Sequence, residues 1–282
     1  NRIMLSPVLA GEKAYEDIII HGESWYARHG VALHKGETIV SIDRSAKRVT
    51  TASGRIEHYD KLLLATGSTP IAIPVHGVDL PGVVTFRDLD DVDAMLGQAE
   101  KGGHAVVIGG GLLGLEAAAG LKSKGMQVTV VHLMPTLMER QLDPSAGYLL
   151  QKAIERRGIE VLTGTNTQAI LGSSKVEAVK LDGGRDIRCD MVVMAVGIRP
   201  NARLAKEAGL VVERGVRVDD EMLTNDPDIY AVGECVEHRG QCYGLVAPLF
   251  EMAKVVAARL SGDGAARYQG SVVSTKLKVS GI

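Results

Sequence analysis

Three glycines, Gly109, Gly111 and Gly114, stand at the spacing G-x-G-x-x-G within the stretch 105–116. A short apolar run leads into them, Ala117–Ala119 lie in a helical stretch beyond, and a second apolar run, Val128–Val131, ends at His132. That order predicts strand, tight turn, helix and strand, with the pyrophosphate of a dinucleotide held in the turn. The spacing alone would fit many structural turns; the flanking elements are what assign a nucleotide to it. Gly109 permits the turn, Gly111 lets a pyrophosphate approach the backbone, and Gly114 lets helix and strand pack closely. Leu112 and Leu113 open the helix and join the candidate binding set, because its unpaired N–H groups and partial positive charge suit phosphate. Glu116 falls on the first turn, where the helix dipole by itself favours an acid.

His132 occupies the place, about 20 residues past the motif, where a strict NAD site carries an acid for the ribose 2′-OH. Without that acid nothing repels a 2′-phosphate, and His132 with Arg140 could attract one, so use of NADPH as well as NADH stays open. The plainer reading of His132 is a solvated side chain after a strand.

The elements that must position these residues are partly legible. Three apolar strands end in glycine: Ala65-Thr66-Gly67, Ala195-Val196-Gly197 and Ala231-Val232-Gly233-Glu234. Ligands of open α/β sheets sit at such carboxyl ends, so these three suggest a second ligand in the outer segments. Helices are expected over Tyr15–Tyr26, from an N-cap at Asp88 to about Gln98, over Pro144–Arg157 and over Pro248–Leu260. Strands are expected at 37–43, 47–51, 55–59 and 159–162, with an antiparallel meander over 165–189 turning at Asp182-Gly183-Gly184. Pro74 and Pro81 suggest a crossing between domains.

At 282 residues the chain is long enough for about two domains. A net charge of −2, with acids and bases mixed, offers no basic face to nucleic acid or an anionic membrane. No apolar run approaches the roughly 20 residues that span a bilayer, and no secretory signal is visible, so the cytoplasm is the default. No initiator Met opens the chain, which suggests that its natural start lies upstream. Cys189, Cys235 and Cys242 form no C-x-x-C pair, which argues against a dithiol, a zinc site or a local iron–sulfur cluster; no metal site is expected. They read as reduced, mostly buried thiols. Met134, Met138 and Met252 read as core filler.

Taken together, Ala65-Thr66-Gly67, the run Val196-Gly197-Ile198-Arg199-Pro200-Asn201, and Thr224 followed by Ile229-Tyr230-Ala231-Val232-Gly233-Glu234 resemble the pyridine nucleotide–disulfide oxidoreductase family of two-dinucleotide flavoproteins. The resemblance implies an α/β fold of two Rossmann-like domains, an NAD(P)H-binding domain at 80–198 inserted in a discontinuous FAD-binding domain at 1–79 and 199–282. The family's own N-terminal FAD strand and loop are expected to be missing before Asn1. Segments 1–12, 131–143 and 243–249 resemble more narrowly the flavin domain of assimilatory NAD(P)H nitrite reductase large subunits.

That likeness implies an NAD(P)H-dependent flavoprotein oxidoreductase: hydride passes to FAD, and electrons continue to iron–sulfur and sirohaem centres, in a downstream part, that reduce nitrite to ammonium. The alternatives are a free-standing rubredoxin- or ferredoxin-type reductase and a catalytically silent nucleotide-binding module. Glu116 would lie near the nicotinamide–flavin contact as the catalytic candidate, and Gly197 would border the nucleotide. Arg2, Ser6, Val40, Ala65, Thr66, Gly67, Arg87, Gly233, Glu234, Pro248 and Leu249 would bind FAD. Arg2 and Arg87 match arginines that approach the flavin nucleotide in related ferredoxin reductases, and Glu234 stands where most relatives carry Asp. Partners would be downstream redox domains or a redox protein; a homodimer is compatible with the sequence.

Overall fold

The computed structural model describes residues 1–279, and the chain falls into two compact units. The last residues of the expected FAD-binding segment, 280–282, lie outside the described residues. The first unit comprises residues 1–20 and 70–197 with the segment from Thr275; the second comprises 21–69 and 198–274.

The first unit is built on a five-stranded sheet in the order Val83–Val84, Met191–Met194, His104–Ile108, Gln127–Val131, Glu160–Leu162, with every pairing parallel. Its three central strands are almost wholly buried and rich in valine, as a sheet covered on both faces requires. The helix Leu112–Ser123 crosses from the third strand to the fourth, and Pro144–Glu155 from the fourth to the fifth. The chain then runs through the antiparallel meander Thr167–Leu171, Ala178–Leu181, Asp186–Arg188 and returns on the other side of His104–Ile108. The winding therefore reverses between His104–Ile108 and Met191–Met194, which puts the glycine turn at the switch point where open α/β sheets bind ligands.

Helix starts follow local chemistry. Asp88 caps Leu89–Ala99 by accepting from the Asp91 N–H, and Asp143 caps Pro144–Glu155 by accepting from Ala146 N–H. Two short helices, Leu5–Ala10 and Arg203–Glu207, lie outside the helices expected from the sequence. Leu5–Ala10 contains Pro7, which a first turn tolerates, and closes on Gly11 at φ 80°. It buries Leu5, Val8 and Leu9 in one core with Leu115 and Leu121, which draws residues 1–20 onto the glycine-turn unit. The boundary expected at 79 accordingly differs from the division at Ile20 and Pro70. The expected helix Tyr15–Tyr26 is also divided: a short turn at Glu16–Ile18 and a helix at Glu23–Arg28 flank Ile19, Ile20 and Gly22, which favour extended or open backbone.

The second unit holds the antiparallel sheet Ile39–Asp43, Arg48–Thr51, Ile56–His58 and two parallel pairs, Leu62–Leu64 with Ile229–Ala231 and Val216–Val218 with Val236–His238. The helices Arg203–Glu207 and Val246–Leu260 belong to it, and Ala205, Met252 and Val256 join its core.

Candidate functional site

The glycine turn has the geometry that its spacing predicts. Gly109 takes φ +120° and its N–H donates to the Val131 carbonyl at 2.8 Å; a methyl group on it would meet the Ala195 carbonyl oxygen at 2.3 Å. A Cβ on Gly114 would lie 2.0 Å from the Gly109 carbonyl oxygen, so helix and turn touch backbone to backbone. Gly111 differs from both. Its φ is −85°, and a Cβ there would meet nothing within 4 Å. It is the N-cap of Leu112–Ser123 and supplies no side-chain cap, so the open space lies at an uncapped helix N-terminus. Leu112 is half-buried and Leu113 exposed beside it. These residues fit a dinucleotide pyrophosphate.

Gly110 is a site residue that motif spacing does not reveal. A Cβ there would meet Leu137 Cδ2 at 2.5 Å and His132 Cγ at 2.7 Å. Its N–H donates to His132 Nδ1 at 3.0 Å, and its carbonyl accepts from Met138 N–H at 3.1 Å. His132 is thus neither a solvated histidine nor free for a phosphate. It is 9% exposed, with Nδ1 turned onto the loop and Nε2 3.1 Å from Glu139 Oε2. Met138, at φ 51°, is buried, as is Met252, whereas Met134 is exposed and is not core filler. Arg140 is exposed.

Glu116 is buried on the helix that the glycine turn opens. One carboxylate oxygen accepts from Ser6 Oγ, and the other accepts from the Lys278 N–H at 2.9 Å. The Lys278 ammonium is 3.9 Å from it, and these groups border a small cavity of about 100 Å³. Ser6, expected beside FAD, thus bonds to a residue of the helix Leu112–Ser123. Arg2 and Arg87 also belong to this unit, Arg2 exposed and Arg87 half-buried with its N–H donating to Asp91. Gly197, at φ +125°, ends the strand segment after Met191–Met194.

In the second unit, Ala65 and Thr66 are exposed at the end of Leu62–Leu64, and Gly67 takes φ +67° with open space beside it. Asn201 ties this linker: it accepts from Thr66 Oγ1 through its carbonyl at 2.6 Å and donates from Nδ2 to the Thr66 carbonyl at 3.0 Å. Gly233 likewise has positive φ and open space. Glu234 is buried and accepts from Ser68 Oγ at 2.8 Å. Val40 is exposed on its strand, Pro248 is buried and Leu249 half-buried in the first turn of Val246–Leu260, a helix without a side-chain cap. Two open glycine backbones and an uncapped helix N-terminus fit close approach of FAD. Burial pushes the Cys189 thiol up to about 12. Among the described residues no cluster of His, Cys, Asp or Glu could hold a metal ion, and no helix is long and apolar enough to cross a membrane.

Comparison with known proteins gives the family of the chain. The chain is 51% identical over its whole length to NAD(P)H nitrite reductase of Bacillus subtilis, covering 35% of that protein. It is 45% identical to the assimilatory nitrate reductase electron transfer subunit of the same organism, again over the whole chain and 37% of the relative. The chain thus spans about a third of the length of these curated relatives. An NAD-dependent persulfide reductase from A. fulgidus superposes with TM-score 0.94 at 29% identity, over 99% of this chain and 55% of that one. The pattern of the pyridine nucleotide-disulphide oxidoreductases matches residues 1–260, and the chain belongs to that family.

Proposed function

We propose that the chain is the NAD(P)H- and FAD-binding module of a larger cytoplasmic enzyme that reduces nitrite to ammonium. The observation that carries this reading is the open space at Gly111, framed by the tight contacts of Gly109 and Gly114 at an uncapped helix N-terminus. The unit with this turn is assigned to NAD(P)H, and the second unit, with its open glycines at 67 and 233, to FAD. FAD, when bound, supplies the step between a two-electron hydride donor and one-electron acceptors.

The chain's own residues then orient rather than react. The turn holds pyrophosphate, and Glu116, whose two oxygens accept from Ser6 and Lys278, positions the adjoining segments. Asn201 keeps the Thr66–Gly67 linker in place for the flavin nucleotide. Nitrite as final acceptor is supported by the name and 51% identity of the Bacillus subtilis relative. Downstream iron–sulfur and sirohaem domains would receive the electrons.

The test is a visible spectrum of the purified chain after incubation with FAD, followed by anaerobic addition of NADH. Flavin absorbance that co-purifies and bleaches on NADH addition is the expected result. Colourless protein that binds NADH would reduce the reading to a nucleotide-binding module.

A further inference from the structure

Between His132 and Arg140 the chain wraps around the phosphate turn in a way that the glycine fingerprint does not require. Both polar backbone groups of Gly110 are taken by this loop: the N–H by His132 Nδ1 and the carbonyl by the Met138 N–H. Because Nδ1 accepts, the neutral ring carries its proton on Nε2 and donates it to Glu139 Oε2 at 3.1 Å. Met138 adopts φ 51°, a conformation unusual for a residue with a side chain, and this turn brings Glu139 back beside the ring.

The result is a carboxylate fixed at the rim of the phosphate turn, with the Glu139 side chain 30% exposed. A carboxylate has about four acceptor positions, and His132 uses one, so the oxygens can still accept from vicinal hydroxyls. Leu133 and Met134, on the same loop, are exposed at 63% and 42% although apolar. Exposed apolar side chains on the loop that carries the acid are what an adenine ring over a ribose would cover.

We propose that Glu139, held by His132, accepts the hydrogen bond of the adenosine ribose 2′-OH and makes the chain select NADH over NADPH. The acid expected at the strand end is thereby displaced along the loop, and His132 serves as its positioning residue. A 2′-phosphate would set like charges against each other at this rim, which disfavours NADPH. The inference rests on reading the turn at 109–114 as the coenzyme's phosphate site.

The test is direct titration of the chain with NADH and with NADPH, following the fluorescence of the reduced nicotinamide. Wild-type, Glu139→Gln, Glu139→Asp and Arg140→Gln chains are compared, with melting temperatures confirming that each folds. The wild type is expected to bind NADH at least about tenfold more tightly, the worth of one hydrogen bond to a charged group. Glu139→Gln should narrow that ratio by about tenfold, through weaker NADH and tighter NADPH binding, and Glu139→Asp should restore part of it. A ratio unchanged in Glu139→Gln, or set by Arg140→Gln instead, overturns the assignment while leaving the phosphate site intact. A wild-type chain that binds neither nucleotide overturns the phosphate-site reading itself.

Discussion

Adjacent glycines in one turn serve different masters, and single methyl groups separate them. At Gly111 the backbone is already in a conformation open to any residue, and nothing stands within 4 Å of the added carbon. Gly111→Ala should therefore cost no more than about 1 kcal/mol of stability, the penalty of a poorer N-cap. It should weaken NADH binding at least about tenfold, because the methyl group would fill the space proposed for the pyrophosphate. Gly114→Ala reverses the pattern: its carbon would lie 2.0 Å from a backbone oxygen, which cannot rotate away. A cost of about 1–3 kcal/mol or more is expected, read as a lowered melting temperature in the absence of any nucleotide. The cysteines follow the same logic of burial. Cys189 and Cys235 are buried, Cys242 is partly exposed, and burial raises the Cys189 thiol to about 12. Iodoacetamide at about pH 8 should label Cys242 alone and slowly in the native chain, and all three after unfolding, as counted by mass spectrometry.

Among elements, the strand pair Val216–Val218 and Val236–His238 is joined at its end by a charge cluster with a defined pH window. The Arg239 guanidinium forks onto Asp220 at 3.0 and 2.6 Å, and His238 Nε2 lies 2.9 Å from the same carboxylate. Arg239, and then His238, hold the Asp220 carboxyl down from 3.8 to about 2. A depressed acid stabilises the fold above its unfolded value, and that contribution disappears as pH falls through the folded value. Acidification from about pH 4 to about pH 2 should thus remove it, and Asp220→Asn should show a shallower fall in its urea midpoint over that window. Solvent screens a carboxylate this exposed, so the effect belongs to the modest range of surface pairs, about 0–1 kcal/mol. The elements most legible in the sequence were those with their own local signals. The helices capped by Asp88 and Asp143 start where their caps stand, and the glycine turn lies between the strands its spacing required. The contacts of His132 and Gly110 are not legible in the sequence because they arise from a loop folding back, through Leu137 and Met138, onto a turn more than twenty positions earlier.

For the whole molecule, what the sequence could not reveal is which segments share a core. Leu5, Val8 and Leu9 join Leu115 and Leu121 across more than a hundred positions, and periodicity does not report such pairings. The same division supplies a way to place the coenzyme. The first unit gathers residues 1–20, 70–197 and those from Thr275, and it contains the whole glycine turn; the second contains Asp220, Glu234 and Gly67. A ligand that binds only the folded form raises stability by RT ln(1 + [L]/Kd), about 2.7 kcal/mol at a hundredfold excess over Kd. Gly114→Ala marks the cooperative transition of the first unit by lowering it, and Asp220→Asn marks that of the second. Calorimetry with NADH at a hundredfold excess should raise the transition that Gly114→Ala lowers, and Gly111→Ala should abolish most of that rise without shifting the unliganded transition by more than its capping cost. Should NADH instead raise the transition marked by Asp220→Asn, the coenzyme belongs to the other unit, and the open space at Gly111 has a different occupant.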